Sequence, residues 1–215
     1  MGREREPGRD CPLCPRLAAF RATNREANHD WHNAPVASFG ALDARLLIVG
    51  LAPGLRGANR TGRPFTGDFA GDLLYDTLPR FGFAEGTYDA HAGDGLILAD
   101  CRITNAVRCV PPENKPVGAE VAACRPFLTA ELEAMASLRV VLALGVLAHH
   151  AVLRAFGLKQ STAKFAHGAL HALPEGRLLA DSYHCSRYNT NTGRLTEPMF
   201  HAVFEGIRAA LDKNG

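Results

Sequence analysis

Four apolar stretches constrain the fold of this chain more than any other feature. They cover 44–50, 96–107, 139–145 and 177–183, and each has the continuous apolar character of a strand buried on both faces of a parallel sheet. Helical patterns lie between and after them, at 16–28, 68–81, 126–137, 146–156 and about 198–212. This alternation predicts a three-layer α/β/α fold with a central four-stranded, mainly parallel sheet flanked by helices.

The composition is that of an ordinary globular domain. The chain has 215 residues and a formal net charge of only +2, so nucleic-acid binding would have to come from local clusters of cations. The longest apolar run, 140–148, is far shorter than the roughly 18 residues of a membrane span. We therefore expect a cytoplasmic protein without a membrane partner, with a loose leader at 1–10 and one domain at 11–215.

Three of the predicted strands end in loops with unusual composition. Parallel sheets bind ligands beyond the carboxyl ends of their strands, and Gly54, Asn105 and His184 each fall just beyond a predicted strand. The first loop is rich in glycine and carries Arg60 and Arg63, which could meet phosphates, although a long turn would have the same composition. We expect the three loops to meet at one edge of the sheet.

The other two loops carry side chains that suit a nucleotide. The amide of Asn105 offers one acceptor and two donors, which match the O4 and N3–H edge of uracil, but a capping asparagine is the alternative. His184 opens a loop, 184–194, that is dense in hydroxyls, amides and arginines. That composition suits a sugar-phosphate backbone, and it would equally suit a solvated loop.

Four cysteines are set beside prolines. Cys11 and Cys14 form a Cys-x-x-Cys pair, and Cys109 and Cys124 are distant in sequence. The set suits an iron-sulfur cluster or a tetrahedral zinc ion. Of the other cysteines, Cys101 is expected to be an inert core thiol, and the role of Cys185 is open.

In this order, the motifs resemble the iron-sulfur uracil-DNA glycosylases of family 5, also called type b. The similarity runs from Cys11 to Thr196 and includes Gly-Leu-Ala-Pro-Gly at 50–54 and Asn-Arg-Thr-Gly-Arg-x-Phe-Thr-Gly-Asp at 59–68. Family 4 relatives carry an acidic residue in the first loop, whereas Leu51 and Gly54 are not acidic. The resemblance implies a uracil-DNA glycosylase-like fold and a monofunctional enzyme that starts base excision repair.

The same resemblance implies the substrate and the cofactor. The enzyme would flip uracil, or another deaminated base such as hypoxanthine, out of DNA and hydrolyse its N-glycosidic bond. Cys11, Cys14, Cys109 and Cys124 would hold a structural [4Fe-4S] cluster. We expect the protein to act as a monomer on nucleoid DNA.

Roles for individual residues follow from the resemblance. Phe65 would stack on the flipped base, Asn105 would read its edge, and the Gly54 backbone and His184 would contact its oxygens, with Asn114 as a further base contact. Asp68 is our candidate for activating water, and a helix N-cap is its alternative role. Contacts to DNA are expected from Arg60, Arg63, Ser186, Arg187, Asn189 and Arg194.

One position departs from the family pattern, and two other functions stay open. Cys185 replaces the usual proline of a His-Pro-Ser motif, so the loop after His184 lacks the rigidity that proline gives. The alternatives to a glycosylase are a non-catalytic iron-sulfur or zinc DNA-binding protein and a relative that crosslinks to abasic sites.

Overall fold

The computed structural model describes residues 6–213. Its strands are β1 (Leu46–Gly50), β2 (Ala84–Glu85), β3 (Ile97–Leu98), β4 (Cys101–Asn105), β5 (Val140–Leu144), β6 (Leu170–Ala172) and β7 (Leu178–Ser182). The main sheet has the order β4-β1-β5-β7-β6, and its first four strands are parallel, while β6 runs antiparallel to β7. The strands β2 and β3 form a separate antiparallel pair.

Seven α-helices accompany these strands in the described part of the chain. They are α1 (Pro15–Ala27), α2 (Ala58–Thr61), α3 (Phe69–Arg80), α4 (Gly118–Ala134), α5 (Val146–Ala155), α6 (Arg187–Asn191) and α7 (Glu197–Lys213). Single 3-10 turns occur at Pro112–Asn114, Gln160–Thr162 and Pro174–Gly176. No helix within residues 6–213 is both long enough and apolar enough to cross a membrane.

The side chains of β1 alternate between two hydrophobic cores. Leu46 and Ile48 pack in a core that contains residues of α3 and α7. Leu47 and Val49 pack on the other face of the sheet, in a core that contains residues of α4 and α5. Because successive side chains of a strand point to opposite faces, one short apolar run serves both cores. The predicted three-layer α/β/α fold is therefore confirmed.

The sheet differs from the prediction in the number of its strands. Its fifth strand, β6, has only three residues, and Leu170 in it is 47% exposed, so it lacks the apolar run that marks the other strands. The predicted strand 96–107 is also interrupted, at Asp100, whose φ is +53°. The Asp100 carboxylate there accepts hydrogen bonds from the backbone N–H and Nε of Arg45.

Helix α4 begins earlier than predicted. The helical pattern at 126–137 predicts a start at Pro126, but Pro126 lies inside α4. The start at Gly118 is stabilised by the Glu120 carboxylate, which accepts a hydrogen bond from the backbone N–H of Val117. Local side-chain capping therefore determined the boundary.

The predicted leader is not loose where the structure describes it. The carboxylate of Glu6 accepts hydrogen bonds from the backbone N–H of Ser38 at 3.0 Å and from Nη1 of Arg108 at 2.9 Å. Asp10 likewise pairs with Arg25 on α1. Residues 6–10 are thus held against the domain, and the remainder of the expected leader, 1–5, lies outside the described residues.

Candidate active site and cysteine cavity

A pocket opens at the carboxyl edge of the sheet, where the loops after β1, β4 and β7 meet. Its volume is about 330 Å³, and we call it the strand-end pocket. It brings together eight of the predicted site residues: Gly54, Phe65, Asp68, Asn105, Asn114, His184, Ser186 and Arg187. The parallel sheet therefore does join distant loops at one edge, as the sequence predicted.

Asn105, the last residue of β4, contributes an unused acceptor to this pocket. Its side chain is 2% exposed, and its Oδ1 has no hydrogen-bond partner among the described residues. An unsatisfied buried acceptor costs about 1–3 kcal/mol, and a donor from a bound ligand would recover that cost. An N–H of a planar heterocycle has the chemistry that Oδ1 requires.

Phe65 provides one wall of the pocket and has an unusual backbone. Its φ is +54°, and its side chain is buried. Non-glycine residues in this region cost about 1–3 kcal/mol and cluster at functional sites. The Phe65 ring lies 6.1 Å from the His184 ring, at an interplanar angle of 31°. The two rings thus line the same pocket.

Asp68 occupies the N-cap position of α3, and its carboxylate faces the backbone N–H groups of Ala70 and Gly71 without a capping hydrogen bond of good geometry. Its Oδ1 is buried and has no partner within residues 6–213. The carboxylate also packs against the first loop, because a methyl group added at Gly54 would come within 2.7 Å of Asp68 Oδ2. Burial raises the pKa of this carboxyl above its ordinary value. The carboxylate is therefore available to the pocket.

His184 follows β7 and opens the loop 184–194. Burial lowers the pKa of its imidazole, so the ring is neutral at neutral pH and keeps one N–H donor. The side-chain amide of Asn189 donates to the His184 carbonyl at 2.8 Å. The hydroxyl of Ser186 accepts from the backbone N–H of Asn189, which caps α6. Asn189 thus holds the loop in shape and does not line the strand-end pocket.

Three of the arginines expected at DNA are exposed. Arg60 lies on α2, and its Nε donates to the carbonyl of Arg56. The guanidinium of Arg187 lies 5.2 Å from the Phe69 ring centre at the pocket. Arg194 lies 4.6 Å from the Tyr183 ring centre, in an adjoining cavity that His184 also lines.

Arg63 is placed differently from the prediction. It is 4% exposed, and its Nη1 and Nη2 donate to the two carboxylate oxygens of Asp94 at 2.7 and 2.6 Å. Its guanidinium also lies over the rings of Phe39 and Tyr75. Because both terminal nitrogens are bound inside the protein, Arg63 stabilises the loop and does not face a DNA phosphate. This corrects the role expected for it.

Sequence reasoning missed several residues at the site. Leu51 and Phe69 line the strand-end pocket, beside predicted residues on either side of the first loop. Tyr188 is 72% exposed on the loop 184–194, although large aromatic side chains are normally covered. The sequence could have indicated Tyr188 as a functional residue, because an aromatic residue between Arg187 and Asn189 in a polar loop is unusual.

The four predicted metal ligands come together elsewhere in the domain. Cys11, Cys14, Cys109 and Cys124 line one small cavity beside α1, which we call the cysteine cavity, and all four are free thiols. Nη1 of Arg21 donates to the Cys109 sulfur at 3.4 Å. Burial raises the pKa of Cys109, and it raises that of Cys124 to about 12. Hydrogen bonds to sulfur and an apolar surround are typical of iron-sulfur ligands.

The four thiols are compatible with both metal hypotheses. Within residues 6–213, the donor atoms of His149, His171 and Asp181 form the group of three or more that lies within 4.8 Å, and this group contains no cysteine. Zinc bonds to sulfur of about 2.3 Å would bring four sulfurs to roughly 3.8 Å from one another. Four thiols that line one cavity form a donor set that suits either a tetrahedral zinc ion or an iron-sulfur cluster.

The remaining cysteines and the histidine group have structural positions. Cys101 and Cys185 are both 0% exposed and pack in the core below α3 and α7. Cys185 does not line the strand-end pocket, although it follows His184. Asp181 Oδ1 lies 2.6 Å from His149 Nδ1, and its Oδ2 lies 2.9 Å from His171 Nε2, so this buried group is joined by hydrogen bonds.

Comparisons with known proteins agree with these motifs. The sequence model of the Uracil DNA glycosylase superfamily matches residues 37–208. The type-5 uracil-DNA glycosylase of Thermus thermophilus is 47% identical over 198 residues, which cover 90% of each chain. That of Pyrobaculum aerophilum is 42% identical over 94% of this chain and 89% of its own, and that of Mycobacterium leprae is 43% identical over 92% and 90%. The resemblance is confirmed: the chain belongs to the uracil-DNA glycosylase superfamily.

Proposed function

We propose that this protein excises uracil from DNA by hydrolysing the N-glycosidic bond. The observation that carries the proposal is the buried, unpartnered Oδ1 of Asn105, which lies in a pocket walled by Phe65 and His184. Relatives that align with nine tenths of the chain are uracil-DNA glycosylases. The same pocket is proposed to admit other deaminated bases, such as hypoxanthine.

Base recognition would use the pocket after the nucleotide leaves the helix. A stacked base is unreachable, and extrusion costs a few kcal/mol, with the smallest cost at a mispair. The carboxamide of Asn105 would accept the N3–H of uracil and donate to O4, which satisfies its free acceptor. Phe65 would cover one face of the base, and the strained backbone would hold that ring in place.

Departure of the base needs stabilisation of negative charge. When the C1′–N1 bond breaks, its electron pair moves to the base, and positive charge develops on the sugar. The neutral ring of His184 would donate its N–H to a pyrimidine oxygen, together with backbone amides near Gly54. One preorganised donor of this kind contributes roughly 3 kcal/mol to stabilisation of the transition state.

Asp68 would complete the hydrolysis. A water molecule adds to C1′, and the carboxylate of Asp68 would take the proton that this water releases. The raised pKa of the buried carboxyl makes its ionised form a stronger base than an exposed aspartate. The buried Oδ1 without a hydrogen-bond partner supports this role, beside the contact of the carboxylate with the first turn of α3.

The cysteine cavity would hold a [4Fe-4S] cluster through Cys11, Cys14, Cys109 and Cys124. The cluster would supply a structural crosslink between distant segments, and no reacting group. Cys14 precedes α1, and Cys109 lies four residues beyond Asn105, so these thiols would join the N-terminal segment to the segment that presents the base-reading amide. The set of four thiols and the Arg21 N–H that donates to the Cys109 sulfur support this assignment.

Binding to DNA would use the exposed side chains around the strand-end pocket. Arg60, Arg187 and Arg194 are proposed to meet phosphates, and the loop 184–194 is proposed to enter the duplex. We propose that residues 11–215 act as one domain and as a monomer, on the DNA of the nucleoid.

The test is excision of uracil from a labelled duplex with a single lesion, followed by alkaline cleavage of the abasic site. Asn105→Ala should abolish excision and leave binding of undamaged DNA unchanged, because its amide contacts only the flipped base. Binding without strand cleavage by the wild-type protein would support a non-catalytic DNA-binding protein instead. A protein-DNA adduct that survives denaturing gels would identify an abasic-site crosslinker.

The same preparation tests the cofactor. A brown protein with broad absorbance near 400 nm and about four irons per chain would support the cluster. Colourless protein with stoichiometric zinc would contradict it. A panel of duplexes with uracil, hypoxanthine and thymine mispairs, assayed in parallel, would define which bases the pocket accepts.

A further inference from the structure

A second cavity at the carboxyl edge of the sheet is lined by cations. It has a volume of about 330 Å³ and lies between α4 and α5, and we call it the basic cavity. Its polar and charged lining consists of Arg125, His150, Arg154 and Gln160, without a carboxylate. Leu51, from the loop after β1, lines both the basic cavity and the strand-end pocket. The two cavities therefore adjoin.

The arginines of this cavity have no internal partners. Nε of Arg125 is buried without a hydrogen bond, and among the described residues neither Arg125 nor Arg154 forms an ion pair. The carboxylates of Glu120 and Glu131 on α4 are bound to other arginines, on other sides of the helix. A partly buried guanidinium without a counter-charge is costly, so an anion from outside the protein would satisfy it.

The surrounding sequence strengthens the positive potential. No aspartate or glutamate occurs between Glu133 and Glu175, whereas Arg154, Lys159 and Lys164 lie in that stretch. Gly118, the first residue of α4, also lines the basic cavity. The near-zero net charge of the whole chain thus conceals a local excess of cations.

We propose that the basic cavity binds a backbone phosphate of the DNA strand whose flipped base enters the strand-end pocket. The inference rests on the proposed function, because only a DNA substrate supplies the phosphate that we assign to this cavity. Guanidinium groups suit phosphate through paired N–H donors, and the volume is sufficient for a phosphate and part of its sugar. Leu51 separates the two cavities, so one strand passing over it would place a base on one side and a phosphate on the other.

The experiment uses Arg125→Gln and Arg154→Gln, with Arg139→Gln as the matched control. Arg139 is exposed at the opposite, amino end of β5, where its Nη1 donates to the carbonyls of Ser137 and Leu138. Affinity for an abasic-site duplex is measured by fluorescence anisotropy between about 50 and 200 mM salt. Each cavity variant should bind about three- to tenfold more weakly at low salt, and the slope of log K against log salt should fall by about 0.9 per lost contact. The control should match the wild type.

An unchanged affinity and slope in both cavity variants would overturn the proposal. Since Arg154 is exposed, Arg154→Gln is expected to fold even if Arg125→Gln does not, and the thermal midpoint checks both. Inorganic phosphate is added separately at constant ionic strength. Stabilisation by phosphate that requires both arginines, with an unchanged DNA slope, would identify a free phosphate site and overturn the DNA assignment.

Failure of the proposed function would be visible separately. Uracil excision by the wild-type protein is measured on a duplex of the same sequence that carries uracil in place of the abasic site. If the wild-type protein excises no uracil but its DNA binding depends on Arg125 and Arg154, the glycosylase activity is rejected and phosphate binding in the basic cavity is supported. Normal excision together with DNA binding that does not depend on Arg125 or Arg154 would support the glycosylase activity and reject the phosphate site in the basic cavity.

Discussion

Gly50 and Asn105 are register partners at the carboxyl ends of β1 and β4, and the missing side chain of Gly50 makes room for the Asn105 amide. A Cβ added at Gly50 would collide with Asn105 Oδ1 and lie 2.5 Å from Cζ of Phe65. A glycine within a buried strand usually weakens it. Here it allows the Asn105 amide and the Phe65 ring to share one small space.

Gly50→Ala should lower single-turnover uracil excision by about tenfold or more, because the new methyl group displaces the Asn105 amide or the Phe65 ring. Binding to undamaged duplex should be unchanged. The control is Gly206→Ala on α7, where an added Cβ meets nothing within 4 Å. That control should stabilise the helix by about 0.5–1 kcal/mol and leave excision intact. Normal excision by Gly50→Ala would contradict the geometry.

His184→Ala should reduce excision by at least tenfold, and by up to about a hundredfold if the full donor contribution of roughly 3 kcal/mol is lost. DNA affinity should stay nearly constant, because the ring acts on the leaving base and not on the backbone. The measurement is a single-turnover time course with saturating enzyme. An unchanged rate would remove His184 from the mechanism.

Asp68→Asn separates water activation from helix capping. Burial raises the pKa of Asp68 in the folded protein. Ionisation of this carboxyl therefore lowers the free energy of unfolding as the pH rises from about 3.9 through the folded pKa. The asparagine variant should therefore have an equal or higher thermal midpoint at pH 7, while excision falls. In the wild type, activity should be lost as the pH falls through the raised pKa. A lower midpoint that accompanies the loss of activity would favour the capping role.

Tyr188→Ala tests entry of the loop 184–194 into duplex DNA. Tyr188 is 72% exposed, and an aromatic ring inserted beside the extruded nucleotide would replace part of the lost stacking. We expect the variant to excise uracil from duplex DNA several-fold more slowly and from single strands at the normal rate. Equal losses on both substrates would show that Tyr188 acts on the pocket and not on the duplex.

Arg63→Gln should destabilise the protein without changing the salt dependence of DNA binding. The pair that it forms with Asp94 is buried, and leaving one buried charge unpaired costs about 3–5 kcal/mol. Arg63 holds the pKa of the Asp94 carboxyl well below its usual range, so this pair stabilises the fold at neutral pH and is lost as the pH falls. Arg60 is exposed, so Arg60→Gln should leave the stability of the protein normal and reduce the slope of log K against log salt for DNA binding.

The long elements and the main site could be predicted because their signals are local. The strands β1, β5 and β7 are marked by apolar runs, and parallel topology then places the residues beyond them at one edge. The short strand β6 escaped prediction because its stability comes from pairing with β7 and not from its own composition.

Pairings between distant residues could not be predicted. Arg63 is a plausible phosphate ligand in sequence, and only the fold brings Asp94, 31 residues away, against it. Arg125 and Arg154 show the opposite case, because the fold leaves them without an ion-pair partner among the described residues. Their separate positions on α4 and α5 do not indicate that they line a common cavity. Burial and partners decide whether a cation is structural or free, and both depend on tertiary packing.

The distribution of the cavity thiols along the chain has a consequence for biosynthesis. Cys11 and Cys14 leave the ribosome early, but Cys124 follows Cys11 by 113 residues. At about 5–20 residues per second, the first pair would wait roughly 6 to 23 s for the last thiol of the proposed cluster. During that interval the N-terminal thiols would be exposed to oxidants and to competing metals, so the proposed cluster predicts a yield of assembled protein that depends on the speed of translation and on the iron supply.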